Sequence, residues 1–406
     1  MQILVFNSGS SSLKFQLFTA TDSGELKSQA KGAVNGFGPA ASCRWTVGGT
    51  PQQIPKTIHR HQEAADWVIE LLQGSAQCSA LLTDSVLGIG HRVVHGGERF
   101  SSPVQITEQV LAEIESLASL APLHNAPSAE VIRRCRARLR SEVPMVAVFD
   151  TAFYHDLPEH VHVYALPADW TASHGIKRYG FHGIAHRYLY ERYLQVSGLK
   201  ARTSRVITVQ LGHGCSMTAI RGGFPVETSM GFTPLEGLIM ATRPGDVDVG
   251  VLLHLAEQGS VGLNQLHEGL NHRSGLLGLS GISADMRELL KLEEEGHPRA
   301  KLAVSAFCHR ARKYLGAYLA VLGGADAVIF GGGIGEYSPQ IRARICADME
   351  WCGLRLDPER NQMAKAIEAR ISTESAPCHV YVIPVDEESI IARETYRCLS
   401  QEGKGK

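Results

Sequence analysis

The chain has 406 residues, 44% of them hydrophobic and 20% charged, and a formal net charge of −1. That length exceeds one ordinary core and points to two domains of roughly 150–200 residues each. The balanced charge gives no bulk basic field for nucleic acid or an anionic membrane, and no apolar run approaches the ~20 residues of a spanning helix.

The opening MQILVFNSGS carries no basic n-region, so a signal peptide is not expected. It runs directly into two strand-like segments, 3–6 and 15–18, joined by a turn rich in Ser and Gly. Apolar residues recur at helical spacing over 62–72 and 128–139. Residues 143–149 form a short apolar strand that ends at Asp150. Half a chain after the first hairpin its pattern returns: a strand over 206–210, a glycine turn over 211–215 and a returning strand over 217–220. The echo predicts a duplicated two-domain architecture with the active site between the halves. A long amphipathic helix over 300–322 should stop at Gly323-Gly324, followed by a buried strand, 327–330, that runs into a glycine loop. A last strand, 379–383, precedes a helix from about Glu388. The class is α/β. Nine scattered cysteines without a C-x-x-C pair predict reduced thiols in a cytoplasmic protein, each a small buried hydrophobe.

Several motifs carry chemistry, and each has a plainer reading beside the functional one. In NSGSSSLKF (7–15), small residues let backbone N–H groups approach an anion, and Lys14 adds charge. The alternative is a polar hairpin. The segment is not a Walker loop, since it lacks G-K-[ST] and leads into a strand. In HRVVHGG (91–97), a basic residue inside an apolar run is costly to bury unless it meets an anion. Arg92 is therefore a candidate to clamp a carboxylate in bidentate fashion, or else a solvent-facing arginine on an edge strand. Asp150 at the end of a strand sits where α/β folds place reactive groups, unless it is a cap. His182, between glycines beside Phe181, is a candidate donor or a packed loop histidine. Gln210-Leu211-Gly212-His213-Gly214 is a second candidate phosphate cradle or a plain hairpin. Arg243, before Pro244-Gly245, is a guanidinium held by a rigid turn or a solvated one. Gly331-Gly332-Gly333-Ile334-Gly335-Glu336 invites close approach by a nucleotide. Asp386-Glu387-Glu388 suits a helix N-terminus. Together these residues suit phosphoryl transfer, which needs charge neutralisation and positioning more than covalent chemistry.

NSGSSSLKF, HRVVHGG, PLHNAPS, VFDTAFY, RYGFHG, TSMGFTPLEGLIMATRPGD, GLSGISADMREL and GGGIGE, in this order, make the chain resemble the acetate kinase (acetokinase) family over about residues 1–398. The resemblance implies two similar ribonuclease H-like, actin-like ATPase domains flanking a nucleotide cleft: 1–150 with 386–406, and 151–385. It implies a homodimer, a carboxylate acceptor such as acetate, ATP as co-substrate and Mg²⁺, with Mn²⁺ as a substitute. Asn7 and Glu387 resemble the metal-site residues, and Ser10, Ser12 and Lys14 lie by the phosphates. Arg92 and Arg243 flank the transferring group. His182 resembles the histidine that stabilises the transition state, with His124 nearby, and Asp150 matches the essential aspartate. Val94, Leu123, Phe181 and Pro234 match the pocket for the acid's alkyl group. Gln210 to Gly214, Asp285, Met286 and Arg287, with Gly333, Ile334, Gly335, Glu336 and Tyr337, match the nucleotide side. Three places depart from the family pattern: Gln210 and His213 stand in a hairpin that usually reads H-L-G-N-G, Tyr337 replaces the Asn of G-E-N, and Val385-Asp386 replaces the T-N of T-N-E-E. A propionate kinase and a non-catalytic actin-like or chaperone-like nucleotide-binding module are the rival readings. The second should lack the set Arg92, Asp150, His182 and Arg243, which is present.

Overall fold

The computed structural model describes residues 1–9, 11–21, 24–75, 78, 87–121, 124–140, 142–259 and 261–402. Ser10 and Leu123 lie outside the described residues. The chain forms two compact units, Met1–His155 with Asp386–Lys406 (unit 1) and Asp156–Val385 (unit 2).

Unit 1 is built on β1 (Gln2–Ser8), β2 (Ser12–Ala20), β3 (Leu26–Asn35), β4 (Gly38–Val47), β5 (Thr50–Ile58), β6 (Leu87–Val93), β7 (Val104–Gln105) and β8 (Met145–Phe149), in the order β5-β4-β3-β2-β1-β6-β8-β7. β1 is buried at all seven positions, as a central strand covered on both faces must be. It pairs antiparallel with β2 and parallel with β6, which runs parallel to β8. On one face α1 (His61–Gly74) and α2 (Asn125–Arg138) place Trp67, Val68, Leu72, Ile132 and Cys135 in a common core with Phe6, Leu13, Phe15 and Leu17. A returning final helix, α6 (Glu387–Glu402), lies on β1, β6 and β8. Gly88 and Gly90 clear its path: a Cβ on Gly90 would stand 2.4 Å from Thr395 Oγ1 and 2.8 Å from Ile391 Cγ2. β5 is exposed from Thr50 to Thr57 and carries Pro51 and Pro55, tolerable because it is an edge strand.

Unit 2 carries β9 (Arg205–Leu211), β10 (Cys215–Arg221), β11 (Phe224–Thr228), β12 (Ala327–Gly331), β13 (Ala369–Arg370) and β14 (His379–Val382), in the order β11-β10-β9-β12-β14-β13. The plan of unit 1 recurs. A first strand pairs antiparallel with its hairpin partner on one side and parallel with a later strand on the other. α3 (Gly183–Ser197) packs on β9 and β12, and α4 (Pro298–Leu322) on β9 and β10. α4 starts with Pro298 in its first turn and ends at Gly323, φ +67°, the usual punctuation for a helix. The glycines after β12, expected as a loop, instead form a short helix, α5 (Gly332–Tyr337). Gly332 makes this possible. Its φ is +74°, and a Cβ would lie 2.7 Å from the Leu211 carbonyl oxygen.

Both sheets thus bring conspicuous residues to the C-terminal ends of parallel strands, where α/β sheets hold ligands. In unit 1 these are Asn7, Arg92 and Asp150. In unit 2 they are the turn after β9 and the glycines after β12.

Candidate active site

In unit 1 three strand ends and the start of α6 bring five side chains into one hydrogen-bonded set. Arg92 is not on an edge strand: β6 lies between β1 and β8, and only 10% of the Arg92 side chain is exposed. Its Nη2 donates to Asp150 Oδ2 at 2.6 Å and its Nε to Oδ2 and Oδ1 at 3.2 and 3.3 Å. The carboxylate in its fork is therefore the protein's own. Nη1 donates to Asn7 Oδ1 at 3.2 Å and to the Ser8 carbonyl at 3.3 Å. Asn7 Nδ2 donates to Glu387 Oε2 at 2.7 Å and to Glu388 Oε1 at 2.8 Å. Burial opposes the charge of Arg92, but Asp150, Glu387 and Glu388 outweigh it and hold the guanidinium pKa above its ordinary value. Burial also pushes the Glu388 carboxyl up, and Lys14 pulls it back. Lys14, paired with Asn7 across the hairpin, lines with Glu388 a cavity of about 460 Å³. The turn itself is closed by Gly9 N–H to the Ser12 carbonyl at 2.9 Å and tied to α1 by His61 Nε2 at 2.7 Å from the Gly9 carbonyl.

In unit 2 two nitrogen groups converge over a glycine. His182 caps α3 with a left-handed backbone, φ +59°, sparsely populated for a non-glycine residue. A Cβ on Gly214 would stand 3.2 Å from His182 Nε2 and 3.2 Å from Arg243 Nη2. Gly214 thus keeps open the space both groups face. Arg243 Nη1 donates to the Pro234 carbonyl at 2.8 Å, which fixes the guanidinium. Burial lowers its pKa, and Cys215 opposes that shift.

Beside this point lies a cavity of about 530 Å³ lined by Gly212, His213, Ala241, Ala284, Asp285, Met286, Arg287, Gly333, Ile334, Tyr337 and Ser338. Eight of the eleven are residues expected on the nucleotide side. Asp285 caps the helix Met286–Glu294, accepting from Arg287 N–H at 2.8 Å, and forks with the exposed Arg287 guanidinium at 2.5 and 3.1 Å. Burial lowers the pKa of His213, and Arg243 lowers it further. Tyr337 is 59% exposed.

Other expected residues lie elsewhere. Leu211 is buried in β9, and Gln210, next to it, has a buried Oε1 without a hydrogen-bond partner. Gly335 is buried in α5, and Glu336 Oε1 accepts from the Gly332 and Val385 N–H groups at 2.9 and 3.1 Å, closing α5 onto the segment after β14. Val94 in unit 1 and Phe181 in unit 2 are both buried, and His124 caps α2. Three further residues join these sets, Glu388 through Asn7 and Ser216 and His186 behind His182, and of them only Glu388 stands out in the sequence, as part of a helix N-terminus. Glu388 stands beside Glu387 in the same acidic run. His186 lies four residues after His182 on one helix face, a spacing that was a usable signal. Ser216, in the returning strand, gave none.

Residues 2–393 match the family described as the Acetokinase family. The acetate kinase of Solibacter usitatus is 45% identical over 412 residues, covering 98% of each chain. That of Acetivibrio thermocellus is 42% identical, covering 98% of this chain and 99% of the other. The crystal structure of Porphyromonas gingivalis acetate kinase superposes with a TM-score of 0.88 at 39% identity, covering 98% of this chain and 99% of that one. A propionate kinase from Francisella tularensis gives 0.87 at 33% identity, with the same coverage. With the strand order, the buried Arg92–Asp150 pair and the cavity beside Gly212 and Gly333 already in place, these likenesses settle the family: the chain belongs to the acetokinase family.

Proposed function

We propose that this chain is an acetate kinase, which transfers the γ-phosphoryl group of ATP reversibly to acetate to give acetyl phosphate and ADP. The observation that carries the reading is the convergence of His182 Nε2 and Arg243 Nη2 over Gly214, beside a cavity of nucleotide size. The acid's carboxylate oxygen attacks the γ-phosphorus in line, and charge spreads over the equatorial oxygens. Arg243 and His182 donate to that charge, and loss of one such donor typically costs about 10²–10³ in rate. The cavity of unit 2 takes the nucleotide, with Asp285 and Arg287 on one wall, Gly333 and Ile334 on another, and Tyr337 beside the base. Val94 in unit 1 and Phe181 in unit 2 are each buried apolar candidates for contact with the acid's alkyl group. A carboxylate of pKa about 4–5 is already ionised at pH 7 and needs no base. Asp150 therefore acts by holding Arg92, not by moving a proton.

The unit 1 set fits a magnesium ion. Asn7 and Glu387 supply hard oxygen donors, and the carboxylates of Asp150, Glu387 and Glu388 outnumber the Arg92 charge among them. Among the described residues no three His, Cys, Asp or Glu side chains form a metal cluster. Magnesium typically takes only one or two carboxylates and completes its shell with phosphates and water. Mg²⁺ held by these residues, or Mn²⁺ in its place, would supply positive charge to offset that of phosphate groups.

The enzyme is assigned as a cytoplasmic homodimer. The helix Val249–Glu257 exposes Val249 and Leu253, four residues apart on one side, an apolar surface of the kind that a second subunit covers. No helix among the described residues is long and apolar enough to cross a membrane.

A hydroxamate assay with formate, acetate, propionate and butyrate against ATP, GTP and pyrophosphate tests the reading. The highest kcat/KM is expected for acetate with ATP. No acyl phosphate from any acid overturns the reaction class. A higher value for propionate replaces the acid, since one methylene is worth only about 1–3 kcal/mol of discrimination.

A further inference from the structure

Behind His182 runs a buried chain of polar side chains that the reaction as described does not use. His182 Nδ1 lies 2.8 Å from Ser216 Oγ. The same hydroxyl is 2.8 Å from His186 Nε2, and His186 Nδ1 is 2.7 Å from Thr208 Oγ1. Thr208 Oγ1 reaches the Thr218 carbonyl at 3.5 Å. Ser216, His186, Thr208 and Thr218 are all fully buried. The fold makes the chain. His182 and His186 sit one helical turn apart at the start of α3, and the β9–β10 hairpin sets Ser216 opposite Gln210 and Thr208 opposite Thr218.

The direction of the hydrogens follows from the far end. A carbonyl only accepts, so the Thr208 hydroxyl hydrogen goes to Thr218. Thr208 Oγ1 then accepts from His186 Nδ1–H. Burial, and the charge of His182 after it, holds the His186 pKa well below its ordinary value, so that ring is neutral and its Nε2 accepts. Ser216 donates to that nitrogen, and its oxygen accepts from His182 Nδ1–H. Which ring nitrogen carries the proton is set by the hydrogen bond the other end of the ring's network makes.

We propose that Ser216, His186 and Thr208 are positioning residues that hold a proton on Nδ1 of His182, so that its Nε2 donates to a phosphoryl oxygen only as the imidazolium. The proposal rests on the phosphoryl-transfer reading and deepens it. His182 then brings a full positive charge to the transition state, not a neutral N–H. His186 on its own helix is charge-coupled to it, and Arg243 faces the same space over Gly214. Arg243 opposes the charge, so protonation of Nε2 is coupled to the arrival of an anionic phosphate.

The test uses the full-length protein labelled with ¹⁵N-histidine and long-range ¹H–¹⁵N correlation, with the His182 signals assigned by their loss in His182→Asn. A neutral His182 protonated on Nδ1 is expected at high pH, gaining its second proton on Nε2 as the pH falls. A neutral ring protonated on Nε2 overturns the proposal, whatever the acid specificity proves to be, because the readout needs no turnover. In kinetics, Ser216→Ala is expected to lower kcat about tenfold or more with KM for both substrates within about twofold, and to move the alkaline limb of kcat to lower pH. His186→Gln, whose amide accepts from Ser216 and donates to Thr208, should recover most of what His186→Leu loses. An unmoved limb, or equal losses in the two His186 variants, counts against the relay.

Discussion

Arg92 turns its fork toward Asp150, and this one contact changes the roles of both residues. A guanidinium this deeply placed needs an anion, and a buried pair broken on one side leaves an uncompensated charge, typically at a cost of about 3–5 kcal/mol. Asp150→Asn keeps the shape and removes the charge. It is expected to lower kcat by about 10²–10³ and to lower the melting temperature, while a pH-independent plateau of kcat survives. Disappearance of a kinetic pKa with the mutation would instead make Asp150 a proton carrier. Tyr337 allows a cleaner measurement, because it is mostly exposed at the cavity rim and little structure depends on it. Tyr337→Asn is expected to raise KM for ATP several-fold and leave KM for pyrophosphate, which has no base, unchanged; equal KM values for ATP in the two proteins would remove Tyr337 from the base site. The sequence showed which residues at this scale were chemically costly, since a buried arginine or an acid at a strand end announces itself. It could not show that Arg92 and Asp150 satisfy each other, because they are 58 positions apart and only the pairing of β6 with β8 joins them.

At the scale of the element, legibility followed burial. β1, β8, β9 and β12 are apolar runs covered on both faces, and their composition alone marks them. The segment from Leu26 to Ile58 carries no strong strand pattern, yet it forms three strands. They are half-exposed and polar, with weak alternation, and backbone pairing to the previous strand creates them. The glycines after β12 misled in the other direction. Their helix depends on Gly332 meeting Leu211, a contact with no local signature. β6 also holds a measurable stress. His91 is buried against Phe6, with ring centroids 5.7 Å apart, and its Nε2 has no hydrogen-bond partner. Burial first, and Arg136 second, lower its pKa from 6.5 to about 3. Its folded pKa lies below the unfolded one, so the stability it contributes is complete above pH 6.5 and is lost as the pH falls toward 3. The loss is on the order of 4 kcal/mol over that window. His91→Phe is expected to be neutral or stabilising at pH 7 and to flatten the decline of melting temperature between pH 6.5 and 4. A decline as steep as in the parent would place the acid lability elsewhere.

At the scale of the whole molecule, the repeated hairpin was the legible feature, and the sheets explain why only its pattern recurs. What recurs is strand order and direction, which many sequences satisfy, while the helices laid on each sheet differ. The two units also carry different chemistry, the Arg92–Asp150–Asn7 set in one and His182 and Arg243 converging over Gly214 in the other. Hydrogen exchange distinguishes them. ADP without metal or acid is expected to slow exchange most in 210–216, 283–290 and 331–338. Equal or greater protection in 87–95 would move the nucleotide out of the unit 2 cavity.

The returning helix α6 has a consequence for how the molecule comes into being. Unit 2 is continuous in the chain, but unit 1 is not. Its β6 waits, with the bare faces of Gly88 and Gly90 uncovered, until Ile391, Thr395 and Leu399 have been made. At about 5–20 residues per second, the 230 residues of Asp156–Val385 take roughly 10–50 s to translate. The half begun first is therefore finished last. The same helix delivers Glu387 and Glu388 to Asn7. No nascent chain that stops short of it holds the complete charge set, so chemistry is withheld until synthesis is done.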